Sequence, residues 1–167
     1  MSELVITQDI LAPETSKTLT ITGNHPSRLL SRIPSTLPDL LMIDSSNIYE
    51  DELKWDASEP DKNYFWGRWR ARVKKDQRTT LWFEVKVQGE QNTKDKHGKV
   101  TVRLKGVITS RWKFSTPIDK ALGYFYLHNV YANQRLKYIE EGKADIGKLE
   151  NIIRGMFEVV EKEYHGI

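Results

Sequence analysis

Three stretches of this chain alternate apolar and polar residues with a period of two, and no other feature narrows its choice of fold so far. Residues 64–74 set Phe65, Gly67, Trp69, Ala71 and Val73 on one side and Trp66, Arg68, Arg70, Arg72 and Lys74 on the other. Residues 79–88 set Leu81, Phe83, Val85 and Val87 against Thr80, Trp82, Glu84, Lys86 and Gln88. Residues 99–114 set Val100, Val102, Leu104, Gly106, Ile108 and Trp112 against Thr101, Arg103, Lys105, Val107, Thr109, Arg111 and Lys113. Successive side chains of a strand point to opposite faces, so each stretch reads as a strand with one dry and one wet face. The connections are short. Residues 75–78 make a tight turn and residues 89–98 a longer polar loop with no apolar anchor, expected to be mobile, so the strands neighbour one another as an antiparallel meander.

The flanks are less regular. Residues 1–16 have little periodicity and contain Pro13; they read as an N-terminal arm, disordered or adding an edge strand, ahead of a single domain over 17–167. Residues 18–22, Thr-Leu-Thr-Ile-Thr, alternate as a strand that Gly23-Asn24 ends. Leu29, Leu30 and Ile33 then fall at helical spacing, and Leu37, Leu40, Leu41 and Ile43 resume it beyond Pro34. An interior proline removes a donor and clashes with the preceding turn, so two short helices joined near Pro34 are expected, with Asn24 or Ser27 capping the first and Ser35 or Thr36 the second. Residues 48–55 read as a strand with Tyr49, Leu53 and Trp55 on one face and Glu50, Glu52 and Lys54 on the other.

Thr116-Pro117 with Asp119 is a helix start: a hydroxyl N-cap, a proline at the first helical position and a carboxylate near the positive end of the dipole. Residues 121–138 are apolar or aromatic on more than one face, Gly142 is expected to end or kink the helix, and an amphipathic stripe from Ile146 runs through Leu149, Ile152, Ile153, Met156, Phe157 and Val160. The expected fold class is therefore α+β: an antiparallel sheet, two short helices after its first strand and a long C-terminal helix packed on it.

With 38% hydrophobic and 29% charged residues, a chain of 167 residues has enough apolar surface for one core and too little length for two comfortable domains. It has no cysteine, which excludes disulfides, thiolate metal sites and cysteine nucleophiles. No window approaches the roughly 20 apolar residues of a membrane span, and the chain reads as cytoplasmic. The formal charge of +3 hides an asymmetry: residues 1–60 carry −6, residues 61–113 carry +10 and residues 114–167 carry −1.

In the order strand, two short helices, antiparallel meander, long C-terminal helix, residues 17–163 resemble the helix-grip fold of the START-like (SRPBCC) superfamily. That resemblance implies a curved sheet wrapped round the last helix with an apolar-ligand cavity between them, and assigns no catalytic residue.

Two constellations follow. If the inward aromatic set lines a cavity, Trp69, Phe83, Leu104, Trp112, Leu122, Tyr126 and His128 would hold a hydrophobic or aromatic small molecule between the sheet and the helix over residues 116–140; core packing accounts for large inward rings equally well. A non-enzymatic binding domain of this kind is the leading expectation. On the wet face, Trp66, Arg68, Arg70, Arg72, Trp82, Lys86, Arg103, Lys105, Arg111 and Lys113 share a surface if the strands pair as neighbours. Cations that neutralise phosphates beside rings that stack on bases suit a nucleic-acid or ribonucleoprotein-binding module. Alternatively the face is merely solvated, its arginines stacking on tryptophans and pairing with the acidic 48–56 strand, or it meets an acidic protein or a membrane surface. Chemistry has thin support: His128, with Tyr124 and Tyr131 at helical offsets, is the one candidate acid or base, and no phosphate loop, metal-ligand spacing or cofactor motif occurs.

Overall fold

The structure, a computed structural model, describes residues 2–165, with side chains through Phe157. Its strands are β1 (Ser2–Asp9), β2 (Lys17–Asn24), β3 (Ile48–Asp56), β4 (Lys62–Lys74), β5 (Thr79–Asn92) and β6 (His97–Phe114). The helices are α1 (Leu29–Leu41), α2 (Pro117–Phe125) and α3 (Ala132–His165). All strand pairings are antiparallel in one six-stranded sheet of order β1-β6-β5-β4-β3, with β2 also on β6.

The three alternating stretches form the centre of the sheet as their periodicity predicts. Phe65, Trp69, Leu81, Val85, Val87, Val100, Val102, Leu104 and Ile108 are all buried to within 1% on the inner face. Helix α1 covers this face towards β3 and β4, α3 covers it towards β2 and β6, and the two helices touch. No element covers the opposite face among the described residues.

The N-terminal arm is sheet. β6 is long enough to carry two strands end to end on one edge, β1 opposite Val107–Phe114 and β2 opposite His97–Leu104. Between them Ile10 leaves the edge, donates its N–H to the Gly106 carbonyl at 2.9 Å and is wholly buried. Its Cδ1 fills the space that a side chain would need at Gly106 and at Gly142. This explains why α3 runs straight through Gly142, where the sequence suggests a stop: the missing Cβ admits Ile10, whose burial offsets the roughly 1 kcal/mol that an interior glycine costs a helix.

Three other expectations are corrected. One helix, α1, replaces the pair of short ones, running through Pro34 and Pro38 after a single 3-10 turn at Pro26–Arg28 that has no side-chain cap. Leu29, Ile33, Leu37 and Leu41 recur every fourth residue and are buried, so each contributes about 1.5–3 kcal/mol to hold the helix across its prolines. The loop over 89–98 shrinks to a tight connection with Lys96 at positive φ, because β5 and β6 stay paired to Gln91 and Gly98. The break in the C-terminal helix comes earlier, in a π-helical turn at Tyr126–Val130 between α2 and α3. The α2 start is as read: Thr116 Oγ1 accepts from the Asp119 N–H at 3.1 Å.

Candidate nucleic-acid interface

The register decides which wet-face side chains meet. Arg68, Lys86 and Arg103 lie in one row across β4, β5 and β6; Arg70, Glu84 and Lys105 in the next; Arg72, Trp82 and Val107 in a third. Directly opposed residues on one face sit about 5 Å apart at Cβ, so each row is a near-continuous contact. Trp66 and Trp82 are separated by six positions along the paired strands, about 20 Å at the rise of a strand. The two charged rows lie between them.

A bulge in β3 rearranges its edge of this face. Glu50 pairs with Trp69 and Glu52 with Arg68, which leaves Asp51 as an extra residue and reverses the facing of everything before it. Tyr49, expected beside Leu53 and Trp55, therefore lies opposite Arg70 on the wet face, and Glu50 turns inward to accept from Trp69 Nε1 at 3.2 Å. Arg70 donates to both carboxylate oxygens of Asp51, at 2.5 and 3.2 Å, with its guanidinium 5.8 Å from the Tyr49 ring and 5.4 Å from the Trp82 ring. The hydrogen bond from Arg70 holds the Asp51 carboxyl below its ordinary value and raises Arg70 in turn. Arg68 bridges Glu84 at 3.2 Å and Asp51 at 4.0 Å.

The face thus divides. Towards β3 its arginines are matched by acids and rings. Towards β6, Lys86, Arg103 and Lys105, with Arg72 on β4, make no ion pair among the described residues. Arg111 is matched by Glu3 at 2.9 Å, and Lys113 lies exposed beyond it. Beside Trp66 an open depression of about 350 Å³ is lined by Tyr64, Gln88, Gly89, Glu90, Lys99 and Thr101.

The expected cavity lining does not assemble. Trp69, Phe83 and Leu104 are core residues, 0%, 4% and 1% exposed, packed under the helices. Trp112 fits against the bare Cα of Gly123, meets the Tyr126 ring at a tilt of 46° with centroids 5.3 Å apart, and carries the Arg78 guanidinium 4.2 Å above its ring. Leu122 is 59% exposed, and His128 lies on the surface with Nδ1 2.9 Å from the Tyr124 carbonyl and its ring on the Tyr124 ring. A pocket between α1 and the later part of α3, lined by His25, Leu29, Met156 and Phe157, holds about 20 Å³, room for one water.

A buried polar cluster escapes the alternating pattern. Thr79 and Ser110 stand at inward positions among apolar neighbours, which is the signal that could have revealed them. Thr79 Oγ1 lies 2.9 Å from Ser110 Oγ and 2.7 Å from the Tyr131 hydroxyl. Tyr131 and Tyr138 both donate to Asp76, which also accepts from the Arg78 and Thr79 N–H groups. Burial works to raise the Asp76 carboxyl, but these donors outweigh it and hold it below its ordinary value, while burial and the Asp76 contact push the Tyr131 hydroxyl up. The cluster ties the β4–β5 turn to the start of α3. No group of residues able to hold a metal ion occurs among the described residues.

No protein-family model matches the sequence, and no curated protein matches it. Among solved structures, the activated Cyt2Ba monomer from Bacillus thuringiensis subsp. israelensis is similar over 66% of this chain and 74% of its own, at 8% identity and a TM-score of 0.35. A delta-endotoxin is similar over 67% of this chain at 7% identity and a TM-score of 0.33; the match spans 63% of that chain. An uncharacterised protein from Rhizobium leguminosarum aligns over 87% of this chain and 95% of its own at 6% identity, with a TM-score of 0.20. Likenesses this slight carry no inference about function.

Proposed function

We propose that the chain binds single-stranded nucleic acid on the uncovered face of its sheet. The observation that carries this reading is the group Arg72, Lys86, Arg103 and Lys105, held in register on the sheet without ion-pair partners among the described residues, with Trp66 and Trp82 at its two ends. A flexible phosphate backbone crossing the rows would release counterions at each cation. Bases at the two ends would meet aromatic rings, and stacking on a ring tolerates any base, so the reading predicts little sequence preference. A broad sheet face suits a single strand better than a duplex groove, which admits a helix or a two-stranded ribbon.

The reading is tested by fluorescence anisotropy with labelled RNA and DNA strands of about 20 nucleotides, longer than one such site needs. Four free cations predict that log K falls with log salt at a slope of about −3. The triple change Lys86→Glu, Arg103→Glu and Lys105→Glu, which breaks no ion pair among the described residues, should reduce that slope to about −1. Trp66→Ala should weaken binding by about 1–3 kcal/mol with the slope unchanged. Absence of binding at low salt, or binding that the triple change leaves intact, overturns the proposal; an acidic protein partner would be consistent with the first result.

A further inference from the structure

The two edges of the sheet are built differently. At one, β3 carries Glu50, Asp51, Glu52 and Lys54 and is bent by its bulge, which are the devices that keep a strand edge from pairing with another chain. At the other, β1 is eight residues long, pairs with β6 in unbroken register and contains neither lysine nor proline. Its middle, Leu4-Val5-Ile6-Thr7, is apolar and β-branched, the composition that favours strand pairing. No strand pairs with its outer edge among the described residues.

The free groups on that edge can be identified. Ile10, opposite Gly106, donates to it directly, so that pair is a hydrogen-bonded one. Hydrogen-bonded and non-hydrogen-bonded pairs alternate along an antiparallel ladder. Carried back along the strand, this turns the N–H and C=O groups of Leu4 and Ile6 towards β6 and those of Glu3, Val5 and Thr7 outward.

We infer that β1 is a self-pairing edge, through which two copies of this chain join about a twofold axis at Val5 into one continuous sheet. In that register Val5 faces Val5 of the second copy and exchanges both backbone bonds with it, Glu3 exchanges bonds with Thr7, and Leu4 lies opposite Ile6 on the inner face. No like charges oppose each other. A ladder this short covers too little area for a stable dimer, which needs about 1,000 Å² or more. The segment bordering β1 supplies more: α2 packs beside it, and the stretch from α2 into α3 exposes Leu122, Phe125, Val130 and Leu136, each 56–60% accessible. An open groove of about 320 Å³ runs between Ile6 and Gln8 of β1 and Leu136 and Ile139 of α3. The inward side chains of an added strand would enter it. This inference stands apart from nucleic-acid binding, since it uses the sheet edge and the helical side.

The test is the mass of the full chain by light scattering after size exclusion and by sedimentation equilibrium. A dimer of the 19.5 kDa chain is expected. Val5→Pro removes an N–H that β6 does not use, and should raise the dimer dissociation constant at least about tenfold while the circular dichroism spectrum is kept. Should that variant misfold, a charge exchange decides: Val5→Lys and Val5→Glu should each weaken self-association, because like charges then oppose at the axis, and an equimolar mixture should recover it. A wild-type chain that stays monomeric at high micromolar concentration overturns the inference. So does a dimer whose mass neither Val5→Pro nor the charge exchange alters.

Discussion

Asp51 is the acid that most restrains the proposed binding face, and replacing it with asparagine should improve binding while slightly weakening the fold. Its carboxylate takes both Nε and Nη2 of Arg70 and lies within 4.0 Å of Arg68. Asparagine keeps the shape of the bulge and removes the charge. Arg70 remains over the Tyr49 and Trp82 rings, so it is freed without being displaced. For a single strand each cation adds about 0.7 to the salt slope, so between 1 M and about 0.15 M salt it is worth about fourfold in affinity. Arg68 stays on Glu84 at 3.2 Å, so one released arginine, Arg70, predicts a gain of roughly fourfold and a slope steeper by about 0.7. The exposed ion pairs lost are worth about 0–1 kcal/mol each, so chemical denaturation should register a small loss. Anisotropy titrations of Asp51→Asn and wild type at several salt concentrations measure both quantities. A slope and affinity that stay put, or fall with stability, would refute the claim that Asp51 competes with phosphate for Arg70.

Two further predictions concern the scaffold. Ile10→Ala empties a wholly buried site closed by Gly106 and Gly142, neither of which has a side chain to move in; a loss of about 3–4 kcal/mol is expected, a fall of roughly 10 °C in a thermal melt, whereas Ile10→Val should cost about 1 kcal/mol. Tyr131→Phe deprives Asp76 of one donor and leaves the Thr79 hydroxyl only Ser110 of its two hydroxyl partners, at about 1–3 kcal/mol. Because the folded Asp76 carboxyl lies below the ordinary 3.8, its contribution is complete above that value and is lost as pH falls through the folded one. The deficit of Tyr131→Phe should therefore be full at neutral pH and shrink in acid; a deficit independent of pH would exclude Asp76 as its source.

Period-two alternation was enough to assign the three central strands, the inward residues 65, 69, 81, 85, 100 and 104, and the outward cations, because a strand's facing depends only on parity. The start of α2 was equally local, since a hydroxyl cap and a first-position proline act within one turn. Everything that depended on a distant neighbour was not legible. Pro34 and Pro38 look like breaks until a buried stripe on the sheet outweighs them, and Gly142 looks like a stop until Ile10, more than a hundred residues away, occupies its place. The bulge at Asp51 was foreshadowed only by three consecutive acids in a strand, and it alone turns Tyr49 outward and matches Arg70.

For the proposed site the division is the same. Sequence placed Trp66, Arg68, Arg70, Arg72, Trp82, Lys86, Arg103 and Lys105 on one face, since each strand's pattern is self-contained. Which cations are held by acids and which are free depends on pairing register and on an edge strand whose Asp51 lies 19 residues before Arg70 in the chain, and only the assembled sheet decides that. The aromatic set failed for a related reason: a large inward side chain satisfies the same periodicity whether it fills a core, as Trp69 and Phe83 do, or lines a space, and only packing tells the two apart.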